Sequence, residues 1–393
     1  MTLLLFFISL SVFSIYSYSL IDPNITFIQH PLWVWFREQI IQLGYYHRDI
    51  SWVIYLLLVI VLFIFHKWFI SHYKKVNIRF LLLGMSLLLL FAYPFLSHDF
   101  FNYMFDARIL THYGQNPYFF KALDFPADKW TRFMHWTHRT YPYGPTFLIL
   151  SLIPSFFGFG KFTLTFILFK ATFIGLYVIS VLLLARLNKK WAVLFATHPL
   201  IIIEGLISSH NDMIALSFAV IGIYFLYKNK NKWGRVFFLF SFGIKYLSLP
   251  VFFLRAPAAK SVLFFLKQMK NKILNHSSKE LVLQRLQKNQ NIFLFVLQLI
   301  VILYVSFVGE IQPWYFLGLL AFIPFLDNFI NKLWIFFFGL LVSYYPYIRL
   351  GGWDTVDKVN LKHIIIVIFI AINSLLFLIE YLNILKRRVF KKI

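Results

Sequence analysis

The chain has 393 residues, of which 60% are hydrophobic and 21% aromatic, and its mean hydropathy of +0.73 lies outside the range of soluble domains. The formal net charge of +23 does not indicate nucleic acid, because the basic residues stand in short loops beside apolar runs and no nucleic-acid motif accompanies them. The absence of cysteine excludes disulfides, thiolate metal sites and a cysteine nucleophile. This composition predicts an integral membrane protein.

Apolar segments follow one another along nearly the whole chain, and the first is predicted to be a retained helix rather than a cleaved signal peptide. A helix needs roughly 20 apolar residues to cross a bilayer, so the pattern predicts one all-α transmembrane domain over residues 1–393 with about 10–12 membrane segments. The segments lie at about 3–21, 51–71, 79–96, 142–158, 162–186, 191–208, 212–227, 235–254, 292–309, 314–330, 333–348 and 363–384.

Basic residues cluster between some of these segments and indicate the cytoplasmic side of the membrane. Strict alternation of all the segments would place the clusters around Arg186 and Lys228 outside. The conflict disappears if 142–158 and 235–254, both interrupted by proline, do not cross, although whether they re-enter or span stays open. Ten crossings then remain, with both termini in the cytoplasm. The clusters are Lys67 with Lys74, Lys75 and Arg79; Arg186 with Lys189 and Lys190; Lys228, Lys230, Lys232 and Arg235; Arg255 through Lys288; Lys332; and the tail 386–392.

The remaining loops fall on the outer face in this topology, and they hold most of the acidic residues. They are residues 22–50, 97–141, 208–212, 310–314 and 349–360. A polar site above a membrane bundle is therefore expected on that face. Residues 255–291 are predicted to form a basic amphipathic segment on the cytoplasmic membrane surface.

The external loop 97–141 begins with SHDFFNYMFDAR, where Asp99 and Asp106 are seven residues apart and return to one helix face within about 20°. A carboxylate on that face could act as a general base. The alternatives are solvated acids, or Asp106 paired with Arg108. Two carboxylates at this spacing make a weak metal site, and His98 is predicted to support the site rather than bind a metal.

The run HPLIIIEGLISSHNDM places Glu204 inside a crossing and residues 210–212 at its outer turn. Helix capping would explain Asn211 or Asp212. It does not explain Glu204, because an ionisable group at membrane depth is unfavourable by roughly 2.5–3.5 kcal/mol and usually binds a ligand or a counter-charge. Lys170 and Lys245 are the candidate counter-charges, and pairing and ligand binding both stay open.

Two further groups stand at outer ends of apolar segments. Arg349 could extend to the lipid headgroups, as such residues commonly do, or bind a lipid phosphate through two parallel hydrogen bonds. The run QPWY, with Gln312 followed by Trp314 and Tyr315, places aromatic side chains at the membrane interface, where they are common.

Taken in order, motifs within about residues 79–320 resemble the GT-C superfamily of glycosyltransferases, polytopic enzymes that use lipid-phosphate-linked sugars. SHDFFNYMFDARILTHYGQNPY is similar to their first external loop, and RTYPYGPTFLILSLIP is similar to their re-entering Y-x-P motif. ATHPLIIIEGLISSHNDMIAL, FSFGIKYLSLP and QPWY follow in the expected order. The pattern looks most similar to bacterial polyprenyl-phosphate-mannose-dependent mannosyltransferases and to the first mannosyltransferase of GPI-anchor assembly.

The resemblance implies that Asp99 is the catalytic base, with Asp106 and Arg108 as a supporting pair. Many relatives have two neighbouring acids where this chain has His98 then Asp99, which weakens the expectation of a metal, although whether a divalent metal is used stays open. No cofactor is expected. The leaving phosphate needs cations and hydrogen-bond donors. The predicted substrate-binding residues are His98, Asp106, Arg108, His210, Asn211, Asp212, Lys245, Gln312 and Arg349.

Together these observations predict an inverting transferase in a bacterial plasma membrane, active on its outer face. It would move a hexose, by resemblance mannose, from a polyprenyl-phosphate sugar to a glycan or glycolipid. Membrane lipid is expected to contact the protein, and nucleic acid is not expected as a partner. The alternative is a lipid-linked saccharide flippase or other transporter with Glu204, Lys170 and Lys245 as pathway charges. The lack of a two-fold internal repeat disfavours a transporter. The donor sugar, acceptor and linkage stay open.

Overall fold

The computed structural model describes residues 1–255 and 276–390, and within these it describes no side chains for 276–288 and 384–390. The described residues form helices and no β-strand, which confirms the predicted all-α class. The α-helices are α1 (Thr2–Tyr16), α2 (Pro31–Ile41), α3 (Arg48–Ser71), α4 (Ile78–Leu89), α5 (Asp99–Thr111), α6 (Pro145–Phe157), α7 (Phe162–Leu187), α8 (Lys189–Ala196), α9 (Asn211–Tyr227), α10 (Asn231–Phe242), α11 (His276–Val308), α12 (Ile323–Lys332), α13 (Trp334–Val342), α14 (Tyr345–Leu350) and α15 (Val356–Phe390). Short 3₁₀ or π-helical pieces lie at Ser17–Leu20, Gln42–Tyr46, Tyr73–Lys75, Ala122–Asp124, Lys129–Phe133, Ile201–Ile207, Tyr246–Phe253 and Pro313–Phe322.

Six helices among the described residues are long and apolar enough to cross a membrane, and a bent pair, Lys189–Ala196 with Ile201–Ile207, adds a seventh with an angle of 67°. The six are Thr2–Leu20, Arg48–Ser71, Phe162–Leu187, Asn289–Val308, Pro313–Lys332 and Val356–Asn383. Four shorter apolar helices accompany them: Ile78–Leu89, Pro145–Phe157, Asn211–Tyr227 and Trp334–Leu350. The predicted ten crossings would need the seven and three of the shorter helices, and the number stays a prediction.

The two segments predicted not to cross have broken geometries. α10 is followed by the 3₁₀ piece Tyr246–Phe253, and Arg235 donates a hydrogen bond to the carbonyl of Phe252, so the two arms lie side by side as a hairpin. The 13 residues of α6 would cover only about 20 Å of a hydrocarbon core of about 30 Å. α6 begins against the hairpin tip, where the Gly144 amide donates to the Ile244 carbonyl at 3.2 Å. A Cβ on Gly144 would lie 2.1 Å from the Gly243 oxygen, so this approach requires glycine.

The predicted outer loops contact one another at one end of the bundle. Arg349 binds Asp49, and the imidazole of His210 stacks on Trp314. At the other end, loops with basic clusters meet: the Lys189 ammonium donates to the Lys74 carbonyl at 2.7 Å. Part of the predicted amphipathic segment 255–291, residues 256–275, lies outside the residues that the structure describes.

The centre of the bundle is the hairpin of α8, Ile201–Ile207 and α9, in which residues 192–223 are buried without interruption. A helix that is apolar all round is expected to be enclosed by others, and α9 packs against α7, α10 and Pro313–Phe322. The tip of this hairpin, residues 208–212, reaches the end of the bundle where the outer loops meet. Its polar residues are thereby held in the middle of that end.

Candidate functional site

The Asp99 carboxylate lies at the start of α5, in the loop that follows α4. The backbone amide of Asp99 donates to the Ser97 hydroxyl at 3.1 Å, and the Trp136 indole N–H donates to Asp99 Oδ1 at 3.1 Å. The Asp99 side chain remains 13% exposed. The carboxylate is therefore held by Trp136, its backbone is fixed by Ser97, and the side chain stays partly open.

The tip of the central hairpin brings His210 to Asp99. His210 Nδ1 lies 3.8 Å from Asp99 Oδ2, and its Nε2 lies 3.4 Å from Glu204 Oε2. The imidazole stacks on the Trp314 indole with ring centroids 3.9 Å apart and planes at 12°. Ser209, just before it, has a φ of +56°, the left-handed region. This turn directs the imidazole towards the loop that carries Asp99.

Lys245 supplies a cation from the tip of the α10 hairpin. Its ammonium lies 2.5 Å from Asp212 Oδ2 and 4.6 Å from the centre of the Tyr315 ring. Burial raises the pKa of Asp99, and the charge of Lys245 opposes that rise. Lys245, Asp212 and Asp99 thus form one cluster of charges.

A narrow recess begins at this cluster. Asp212 and Lys245 line it, and most of the other lining side chains are small or apolar. These are Ala215, Leu216, Ala219, Leu247, Val251, Gly318 and Ala321. The recess thus has charged side chains at one position and an apolar wall between helices. This arrangement suits an amphipathic ligand.

Burial controls the protonation of the two carboxylates of α5. It raises the pKa of Asp99, and Arg139, Lys245 and the Trp136 hydrogen bond oppose that rise. Burial raises the pKa of Asp106 to about 8, with Arg139 opposing and Asp99 adding to the rise. Asp106 is therefore mostly protonated at neutral pH, whereas Asp99 has cationic neighbours that favour its ionised form.

Several predicted site residues come together here: Asp99, His210, Asp212 and Lys245 form the cluster, and Asn211 lies beside it. The Asn211 backbone amide points to the Tyr103 hydroxyl at 3.5 Å, and its side-chain amide has no hydrogen-bond partner among the described residues. Neither Asn211 nor Asp212 caps α9, because the cap position is occupied by His210 and makes no side-chain cap bond. The capping explanation for these two residues is wrong.

Arg108 does not pair with Asp106, contrary to the prediction. Two residues apart on a helix, the side chains leave on different faces. Arg108 Nε instead binds Asp128 Oδ2 at 2.7 Å, and its guanidinium lies 4.3 Å from the Trp130 ring centre. Asp128 also accepts from the Tyr113 hydroxyl at 2.7 Å. Arg108 thus fastens the external loop to α5.

Neither candidate lysine neutralises Glu204, so that pairing hypothesis is also wrong. Lys245 binds Asp212, and Lys170 turns its ammonium to the end of the π-helical piece Ile201–Ile207. Lys170 donates to the carbonyls of Leu206 and Ile207 and, at 3.1 Å, to the Ser209 hydroxyl. Both Glu204 carboxylate oxygens are buried without a hydrogen-bond partner among the described residues.

Three other predicted residues make their contacts outside this cluster. The His98 ring contacts His135, with centroids 4.4 Å apart, and burial with the charge of His135 lowers the His98 pKa to about 4. Gln312 accepts from the buried Lys362 ammonium at 2.9 Å. Arg349 is held by Asp49 and the hydroxyl of Tyr345 at the edge of the bundle.

The sequence reasoning missed Trp136 and Arg139. The Arg139 guanidinium lies 4.6 Å from the Trp136 ring centre and opposes the rise that burial causes in the pKa of both Asp99 and Asp106. Within the described residues Arg139 forms no ion pair. Its position two residues before the YPYG turn was the available signal. Among the described residues, no three His, Asp or Glu side chains form a group that could hold a metal ion.

Comparison with known proteins gives one match. The family described as alpha-(1->6)-mannopyranosyltransferase, N-terminal domain, matches residues 17–258, more than half of the chain. Neither the curated proteins nor the solved structures contain a match. The matched range includes α5, the central hairpin and the hairpin that carries Lys245.

Proposed function

Because this chain belongs to the alpha-(1→6)-mannopyranosyltransferase family, we propose that it transfers mannose from a polyprenyl-phosphate donor to a glycan or glycolipid, with inversion at the anomeric carbon. The family supports a mannosyltransferase over a transporter. The donor, the inversion and the role of each residue are the proposed part.

The observation that carries this proposal is the position of one partly open carboxylate close to a largely apolar recess that Lys245 and Asp212 line. Asp99 is held by Trp136 and faces His210, and Lys245 marks the mouth of the recess. A base and a phosphate-binding cation at neighbouring positions are what a glycosyl phosphate and a hydroxyl acceptor need for direct displacement.

In the proposed reaction Asp99 takes the proton of the acceptor hydroxyl as the hydroxyl oxygen attacks the anomeric carbon. The bond from that carbon to the phosphate oxygen breaks, and the phosphate leaves as a dianion. Lys245 and Arg139 are the proposed cations for the phosphate, since charge-assisted hydrogen bonds are about twice as strong as neutral ones. The prenyl chain would lie along the wall that Ala215, Ala219 and Gly318 leave open.

The acceptor is proposed to approach from the aqueous side of the external loop 97–141, and this side is proposed to be the outside of a bacterial plasma membrane with both termini in the cytoplasm. The arrangement of basic clusters at the opposite end of the bundle supports this orientation. An acceptor ending in an α-(1→6)-linked mannose is consistent with the family description.

Purified protein in proteoliposomes tests the function directly. Radiolabelled polyprenyl-phosphomannose of β configuration is supplied with a synthetic α-(1→6)-linked dimannoside, and the trisaccharide is analysed by NMR. A new α linkage supports inverting transfer from this donor. A product with the donor's configuration would exclude inversion, and transfer only from a nucleotide sugar would exclude the lipid donor.

A further inference from the structure

The imidazole of His210 lies between two carboxylates that come from different parts of the fold. Nδ1 faces Asp99 at 3.8 Å and Nε2 faces Glu204 at 3.4 Å. The His210 and Glu204 side chains are only 1% and 0% exposed, and neither nitrogen nor either Glu204 oxygen has a hydrogen-bond partner among the described residues. Buried polar atoms without partners are rare because they are unfavourable, so this arrangement requires an explanation.

Stacking on Trp314 keeps the imidazole in a fixed plane. With centroids 3.9 Å apart and planes at 12°, the ring can slide within its plane but cannot tilt far. Its nitrogens therefore stay directed at the two carboxylates. Both separations are longer than good hydrogen bonds, and contacts of this kind commonly shorten when substrate closes a site.

Among the side chains that the structure describes, no lysine or arginine forms an ion pair with Glu204. Lys170 and Lys245 have other partners. Lys362, which faces Glu204 from α15, holds Glu310 at 3.3 Å. The Tyr344 hydroxyl and the Asp212 carboxylate are the other polar groups that face Glu204. Glu204, when it is ionised, can therefore accept a proton from His210.

We infer that Asp99, His210 and Glu204 form a proton relay, in which the proton taken by Asp99 from the acceptor passes through His210 to Glu204. The inference rests on the proposed function. Protonated Asp99 gives its proton to Nδ1, while Nε2 gives its own proton to Glu204, so His210 is neutral before and after. After the products leave, the reverse transfers return the proton to water at the open side of Asp99. His210 and Glu204 act through Asp99 and are positioning residues.

The test compares Glu204→Gln, which keeps shape and loses the carboxylate, with Glu204→Asp, which keeps the carboxylate and loses shape. Glu380→Gln, on the exposed part of α15, is the matched control. The relay predicts that E204Q loses about 10- to 100-fold in kcat with the donor KM within about twofold, and that E204D retains more kcat than E204Q. If E204Q retains at least as much kcat as E204D, Glu204 only fills space and the relay is wrong.

His210→Gln gives a second measurement that does not depend on Glu204 variants folding. Its kcat is expected to fall by a similar factor, and an unchanged kcat would overturn the relay. Asp99→Asn separates the two levels of the account. If D99N is fully active, the proposed function itself is contradicted. If D99N is inactive while E204Q and H210Q are fully active, only the relay is contradicted.

Discussion

The ammonium of Lys245 lies 2.5 Å from the carboxylate of Asp212, and this ion pair joins the tip of the α10 hairpin to the first turn of α9. The Lys245 side chain is 17% exposed. An ammonium has three N–H donors, and Asp212 takes one of them, so Lys245 keeps donors for a phosphate oxygen. The pair therefore fixes the cation at the recess without saturating it.

Lys245→Gln is expected to raise the donor KM by about tenfold or more, since a hydrogen bond to a charged group contributes about 1.5–3 kcal/mol. The measurement is initial transfer rate against polyprenyl-phosphomannose concentration. Lys232→Gln, an exposed position at the start of α10, is the matched control. A donor KM equal to that of the control would show that Lys245 serves only Asp212.

Asp106→Asn is expected to change how stability depends on pH. Burial raises the pKa of Asp106 from 3.8 to about 8, so between about pH 4 and 8 the folded protein holds a proton that the unfolded chain releases. The free energy of unfolding therefore falls as pH rises through this window. The facing groups Asp99, Arg139 and Tyr141 are unchanged in the variant.

Melting of both proteins in detergent, measured from pH 4 to 8, checks this. The wild-type midpoint should fall relative to that of D106N as pH rises. A difference that stays constant across the range would show that Asp106 titrates normally.

Lys170→Met is expected to destabilise the protein and reduce transfer. The ammonium holds two carbonyls and the Ser209 hydroxyl at the turn before His210, and leaving buried acceptors without donors costs roughly 1–3 kcal/mol. Thermal melting and kcat are measured together, with Lys161→Met at the exposed start of α7 as control. A variant as stable and active as the control would show that the turn does not need this lysine.

The cysteine-free chain allows a clean test of orientation. Phe119, which is 78% exposed in the external loop, is replaced by cysteine, and Lys230 in a basic loop is replaced in a second variant. A membrane-impermeant maleimide added to intact cells should label Phe119→Cys, and should label Lys230→Cys only after permeabilisation. The reverse pattern would place the site in the cytoplasm.

The sequence predicts the helical class and the broken segments because both depend on local chemistry. Long apolar runs require spanning helices, and the Gly243 to Pro250 region interrupts one. Which residues meet across the bundle depends on helix packing, which hydropathy does not encode. The contact of Gly144 with Gly243 is an example, because only the fold brings these two glycines together.

The site shows the same division. The spacing of Asp99 and Asp106 correctly predicts a helix. It does not predict the contact between Arg108 and Asp128, because Asp128 lies 20 residues further along the chain. Opposite charges are matched by geometry. Sequence proximity wrongly favoured Asp106 as the partner of Arg108, and a shared position inside apolar segments wrongly suggested a lysine as the partner of Glu204. Trp136 lies in the loop between two recognised motifs, and Arg139 is the first residue of the second of them. Only the folded loop places both side chains near Asp99.

The most direct measurement of the central claim is transfer by Asp99→Asn under saturating donor and acceptor. The account predicts a fall in kcat of about 10²- to 10⁴-fold, the usual contribution of a general base. The donor KM and the thermal midpoint should stay close to wild type. The control Asp357→Asn, at an exposed position of α15, should be fully active. Mannose transfer by D99N at the wild-type rate would contradict the assignment of Asp99 as the base.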